Sequence, residues 1–190
     1  THNINAAVAS RIISGMKEER VESSKSHLGP TPTFSGDPQQ LIDAVKEALY
    51  VGIILSYTQG FGLMQLASDE YAYALDLQKI AKIWRAGCII RADVLYDIMR
   101  AYNREPALAN LLADDFFGEV VGGRQGALRY VVTTAIGMGI PVYAMSSALA
   151  YFDAYRTERL PANLTQAQRD YFGAHTYRRV DQEGSFHTDW

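Results

Sequence analysis

Between Ala48 and Ala67 the chain passes Leu49, Val51, Ile53, Ile54, Leu55, Phe61, Leu63, Met64 and Leu66 without a single charged side chain. At helical spacing these residues cover nearly every side of the cylinder, and a helix of that kind belongs in the middle of a bundle rather than on its surface. Its start is equally legible: Asp37 can cap, Pro38 suits the first helical position, and Gln40 completes a capping-box spacing. Gly52, Gly60 and Gly62 lie inside the helix at a cost in stability, which predicts that a neighbouring backbone approaches closely there.

The rest of the chain is patterned the same way, and no stretch alternates strictly enough for a strand. A first helix is predicted over Ala6–Ser26, apolar at Val8, Ile12 and Met16, charged through Lys17-Glu18-Glu19-Arg20, and stopped by Gly29-Pro30. Asp76 caps a helix from Leu77 to Ala86, and another spans Ala92–Asn103 ahead of Pro106. Helices over Ala107–Val121 and Arg124–Met138 are read as separated by Gly122-Gly123. Pro141 then opens a helix to Glu158, which Leu160-Pro161-Ala162 breaks. A short helix starts at Asn163, with Gln166 in capping-box position and Gly173 as its stop. Ala174 to Trp190 has no helical period, yet Tyr177, Phe186 and Trp190 contribute only when buried, so this tail is expected to dock on something. The expected fold is all-α, a bundle of roughly seven to nine helices with an extended C-terminal tail. Its expected division is a helical domain over residues 1–160 and a short helix with tail over 161–190.

Composition narrows the function classes. With 190 residues, 48% hydrophobic and 21% charged, the chain can bury one sizeable core. A net charge of −3 argues against a general nucleic-acid binder but not against a local cluster of Arg and His that holds a small anion. Ala48 to Tyr57, the most apolar stretch, is about half the ~20 residues that span a bilayer, so no membrane partner is expected. Cys88, the only cysteine, lies in the apolar run Gly87-Cys88-Ile89-Ile90 and reads as a small buried hydrophobe. A reducing, cytoplasmic setting fits it.

Few residues form a chemical constellation. Gly60-Phe61-Gly62-Leu63-Met64-Gln65 fails as a dinucleotide turn at its last position and follows no strand. His2, His27, His175 and His187 show no metal-ligand spacing among themselves or with Cys88, so no metal is expected. Gly122-Gly123-Arg124-Gln125-Gly126 reads as an interhelical turn in preference to an anion cradle. Asp114-Asp115 reads as a cap or solvated face in preference to an acid–base pair, and Trp84 as core. Arg169 on the short helix and His175 just past its stop are the remaining pair. A chain reversal there would offer a bidentate guanidinium and an imidazole to one phosphate, although by spacing alone both also read as plain surface residues.

Leu160-Pro161-Ala162-Asn163-Leu164-Thr165-Gln166-Ala167-Gln168-Arg169-Asp170-Tyr171-Phe172-Gly173-Ala174-His175-Thr176-Tyr177 closely resembles the C-terminal signature of 6-phosphogluconate dehydrogenases, with Thr165 where an Ile is usual. Phe186-His187-Thr188-Asp189-Trp190, Ser56-Tyr57-Thr58-Gln59-Gly60-Phe61, Trp84 to Arg91, Leu111 to Phe117 and the Lys17-Glu18-Glu19-Arg20 turn resemble the same family. The resemblance implies part of an enzyme that oxidises 6-phosphogluconate with NADP, releases carbon dioxide and gives ribulose 5-phosphate. It also implies a homodimer whose C-terminal tail threads into the partner subunit. Arg169 and His175 would then hold the substrate phosphate in the partner's site, and Arg11 would hold it from its own subunit. The match around Arg11 is looser, since Ala9-Ser10 stand where the family commonly has Phe-Ala. The family's general-base Lys, its acid Glu and the NADP-binding Rossmann domain correspond to sequence upstream of Thr1, so no catalytic or cofactor-binding residue is assigned here. The chain alone is therefore expected to be inactive. Two rival readings are a helical dimerisation module without catalytic activity and a phosphosugar-binding protein that needs no cofactor.

Overall fold

The computed structural model describes all residues, Thr1–Trp190. Eight helices account for its regular structure: α1 (His2–Gly15), α2 (Lys17–Ser23), α3 (Pro38–Tyr71), α4 (Leu77–Ile83), α5 (Val94–Arg104), α6 (Asp115–Gly137), α7 (Tyr143–Tyr155) and α8 (Asn163–Gly173). A single 3-10 turn, Leu111–Ala113, precedes α6, and no sheet forms. The fold is all-α, as the periodicity requires. The chain divides into two compact units, Thr1–Phe152 and Asp153–Trp190.

The core of the first unit is built on α3. Ala48, Val51, Ile54, Leu55 and Phe61 are fully buried and meet Leu95 and Ile98 of α5, Phe117, Val121 and Leu128 of α6, and Ala148 of α7. Phe61 stacks on Tyr102 with ring centroids 5.5 Å apart and meets the Trp84 ring edge-on at 5.4 Å, so Trp84 packs, half-buried, against the core. The start of α3 is also as read, except that the Asp37 carboxylate accepts from the Gln39 N–H and Gln40 takes no part. The expectation that α3 is covered on all sides is not met within this chain. Ile42, Leu49, Leu63 and Leu66 stay exposed on it, while α1, α4, α6 and the 3-10 turn pack elsewhere along it. Of its glycines only Gly62 faces a neighbouring backbone, its Cβ position lying 3.5 Å from the Ala109 carbonyl; Gly52 and Gly60 meet nothing.

Other differences have local causes. The predicted first helix is two, because the backbone breaks at Met16 (φ −89°, ψ 53°), and Arg20 reaches back to the Ile13 and Ser14 carbonyls to satisfy the end of α1. The Asn3 backbone N–H donates to Gln59 Oε1 at 2.9 Å, and Gln59 Nε2 donates back to Asn3 Oδ1 at 3.0 Å, which anchors α1 on α3. Gly122-Gly123 does not separate two helices: α6 runs straight through it, since two glycines cost less than the packing of Val121 and Leu128 on either side. That leaves no open helix start for an anion, and Arg124 pairs instead with Glu47 at 2.6 Å. Asp114 is the cap of α6, accepting from the Phe116 and Phe117 N–H groups and pairing with Arg104. Cys88 is exposed, not buried. The chain turns at Gly87 (φ +73°) away from the core, and the Cys88 thiol donates to the Trp84 carbonyl at 3.0 Å.

Candidate substrate-phosphate site

The second unit is organised by one carboxylate. Asp170 lies on the inner side of α8 with 0% of its surface exposed, although Arg169, Tyr171 and Phe172 beside it are exposed. Its Oδ1 accepts from the Thr176 N–H at 3.0 Å and contacts His187 Nδ1 at 3.0 Å. Its Oδ2 accepts from the Thr188 N–H at 3.0 Å and from the Trp190 indole N–H at 3.1 Å. Burial pushes this carboxyl up, but the Thr188 N–H, His187 and Trp190 outweigh it and hold the group down at about 2.

Around that centre the tail closes on itself. The helix ends with Ala174 in the left-handed region (φ 50°), its N–H bonded to the Asp170 carbonyl at 2.8 Å. Gly173 is the last helical residue, and a Cβ there would stand 3.0 Å from His175 Nε2, so the imidazole would have to give by a few tenths of an ångström. Gln166 donates to the Thr176 carbonyl and so forms no capping box at the start of α8, whose N-cap, Ala162, has no side-chain bond. Tyr177 and Phe186 then form an antiparallel bridge, N–H to carbonyl in both directions at 2.8 and 2.9 Å, and the Tyr177 hydroxyl meets Thr188 Oγ1 at 2.7 Å. The expected docking of the tail's aromatics thus occurs in part against α8 itself, where Trp190 meets the Tyr171 ring edge-on at 6.0 Å. Arg179 is paired with Asp181 at 2.6 Å, an interaction that lowers the Asp181 carboxyl to about 2 and raises the guanidinium, so the tail's two consecutive arginines carry only one open charge, on Arg178.

Arg169 and His175 both belong to this second unit. Arg169 is exposed on α8 and His175 follows its cap; neither side chain spends a donor on another protein group. Arg11 is exposed on α1 in the first unit, so no single unit gathers all three. An open guanidinium on α8 and an open imidazole just past its cap are each groups that can donate to an anion, the first as a bidentate fork and the second as a single donor. The sequence reading missed Asp170, His187 and Trp190 as partners. The only signal for them was their inclusion in two separate signature blocks, since nothing in the spacing of Asp170 and Trp190 shows that they meet.

No group of three or more His, Cys, Asp or Glu side chains converges on one point. No helix is long and apolar enough to cross a membrane. Gly60-Phe61-Gly62 sits in the middle of α3, so its N–H groups are used within the helix and cannot cradle a pyrophosphate.

The class of protein so defined is an all-α domain whose short C-terminal helix and clamped tail carry an exposed Arg169 and His175. The family described as 6-phosphogluconate dehydrogenase, C-terminal domain, matches residues 1–190, and the chain belongs to that family. It is 54% identical over 188 residues to an NADP(+)-dependent, decarboxylating 6-phosphogluconate dehydrogenase of Bacillus subtilis, covering 98% of this chain and 40% of that protein. It is 51% identical over 187 residues to the decarboxylating 6-phosphogluconate dehydrogenase of Escherichia coli, again over 98% of this chain and 40% of the relative. Among solved structures it superposes with a TM-score of 0.88 and 42% identity on Plasmodium falciparum 6-phosphogluconate dehydrogenase, described in its apo form, with its cofactor NADP+ and with its substrate 6-phosphogluconate. That likeness covers 97% of this chain and 40% of the other. The chain thus spans about two fifths of the length of these relatives.

Proposed function

We propose that this chain acts as the phosphate-binding and dimerising part of a decarboxylating, NADP-dependent 6-phosphogluconate dehydrogenase, which converts 6-phosphogluconate to ribulose 5-phosphate. Identity above 50% to dehydrogenases of that name supports the activity, and the Plasmodium falciparum complexes support the substrate and cofactor. The single observation that carries the site assignment is the pair of open donors, Arg169 on α8 and His175 on the turn that follows it, flanking a buried carboxylate whose oxygens are both bonded. Arg169 supplies the fork, His175 an additional donor, and Arg11 a second guanidinium from the first unit.

NADP, when bound, accepts the hydride, while Arg169, His175 and Arg11 hold and orient the sugar phosphate. That role matters for rate because remote binding energy positions the reacting end of a substrate. The exposed apolar face of α1 (Ile4, Val8, Ile12) favours a homodimer, and the tail, residues 161–190, is the segment that reaches the partner's site.

Each charge-assisted hydrogen bond to phosphate is worth about 1.5–3 kcal/mol, so Arg169→Ala in the full-length enzyme should raise KM for 6-phosphogluconate about ten- to a hundredfold. Subunit mixing tests the shared site. One homodimer carries Arg169→Ala with His175→Ala, and the other lacks its catalytic lysine but keeps its tail. Mixed dimers should recover activity at low substrate, since one site then combines an intact lysine with an intact tail. If verified exchange leaves activity flat, the tail acts within its own subunit.

A further inference from the structure

We propose that Asp170 is the positioning residue for the phosphate-binding pair: its buried carboxylate holds both the left-handed turn that carries His175 and the returning segment His187–Trp190, so that Arg169 and His175 are presented in one fixed arrangement. This inference rests on the reading of Arg169 and His175 as phosphate ligands.

The first argument is backbone strain. His175 stands between Ala174 at φ 50° and Thr176 at φ 61°, both in the left-handed region. A β-branched residue there is an outlier, and such a conformation persists only where the surroundings over-determine it. Here the surroundings are few. The Thr176 N–H is held by Asp170 Oδ1, its carbonyl by Gln166, and the Ala174 N–H by the Asp170 carbonyl. Without the carboxylate, the segment flanking His175 loses its one charged acceptor and is free to relax toward ordinary extended or right-handed backbone.

The second argument is the chemistry of the acceptor. Each carboxylate oxygen faces at least one donor that has no acceptor form: the Thr176 N–H at Oδ1, and the Thr188 and Trp190 N–H groups at Oδ2. An amide of the same shape must turn its NH2 toward one of those sides, donor against donor. The site is therefore built for Asp and not for Asn. The third argument is geometric. Arg169 and Asp170 are consecutive on α8 and so point about 100° apart. Fixing Asp170 inward fixes the rotation of the helix and, with it, the direction in which Arg169 leaves.

The test is steady-state kinetics of the full-length dehydrogenase, with 6-phosphogluconate as substrate and inorganic phosphate as a competing probe of the phosphate subsite. Asp170→Asn should raise KM for the substrate and the inhibition constant for phosphate together, by about tenfold or more, with kcat within about threefold. A merely structural role would lower the active fraction instead, so that kcat falls at unchanged KM; that result overturns the proposal. Asp181→Asn, which breaks the Arg179 pair elsewhere in the tail, should leave both constants alone; an equal effect there would show that any disturbance of the tail suffices and would also overturn it. Arg169→Ala separates the two levels of inference. If it leaves KM unchanged, the phosphate reading itself fails and this proposal falls with it. If it raises KM while Asp170→Asn does not, only the positioning role fails. Should Asp170→Asn not yield folded protein, Trp190→Phe decides, because it keeps a ring beside Tyr171 and removes one donor. A rise in KM of about three- to tenfold supports the clamp, and an unchanged KM refutes it.

Discussion

Tyr102 stacks on Phe61 in the core of the first unit, and its hydroxyl is buried without a hydrogen-bond partner. Burial pushes the phenol well above its ordinary value, because a phenolate there would be desolvated. Removing a polar atom that has no partner should cost nothing, so Tyr102→Phe is expected to be neutral or to stabilise by up to about 1 kcal/mol in urea denaturation. A clear loss would mean that the hydroxyl has an acceptor. Asp170 gives the opposite case. Its carboxyl sits at about 2 in the folded chain, below the ordinary carboxylate value of about 4, so its contribution is fully present above pH 4 and lost as pH falls through 2. Fluorescence of Trp190, read in a Trp84→Phe background, should stay flat from neutral pH to about 4 and change between about 4 and 2. A transition centred near neutrality would contradict this reading. The exposure of Arg169 and His175 was legible in the sequence, where by spacing they read as surface residues and only the family resemblance sets them apart. The acceptor that orients them was not, because a buried carboxylate and its donors up to twenty residues away leave no local pattern.

At the scale of elements, α6 shows what capping does. Asp114 closes the helix start through two N–H groups and simultaneously faces Arg104. Asp114→Ala should destabilise the chain by about 2 kcal/mol, the sum of a lost cap and a stranded guanidinium that is itself mostly solvated. Asp114→Asn keeps the acceptor and should cost less; equal losses in chemical denaturation would assign the whole effect to the charge. Caps of this kind made the starts of α3 and α4 readable at Asp37 and Asp76. Stops were harder. Gly122-Gly123 carries the local signature of a break, and only the burial of Val121 and Leu128 against α3 keeps α6 continuous. The converse error falls at Met16, an ordinary helix former where the helix nevertheless breaks and Arg20 satisfies the freed Ile13 and Ser14 carbonyls.

For the molecule as a whole, exposed Ile4, Val8 and Ile12 along α1, with Ile42 and Leu66 on α3, leave apolar surface that solvent is poorly suited to cover. Light scattering of the isolated chain should therefore report a dimer at micromolar concentration, and Ile12→Asp should weaken association at least about tenfold. A stable monomer unaffected by that change would remove the dimer from the proposal. The second unit differs from the first in how its chain is connected. The donors that meet Asp170 come from positions only six, seventeen, eighteen and twenty residues away. Loops that short lose little entropy on closing, and closure of such loops is fast compared with assembling long-range helix contacts. The α3–α6 packing, by contrast, joins residues as far apart as Glu47 and Arg124, seventy-seven positions along the chain. The contacts around Asp170 are therefore expected to form before the α3–α6 packing, and to re-form quickly when broken.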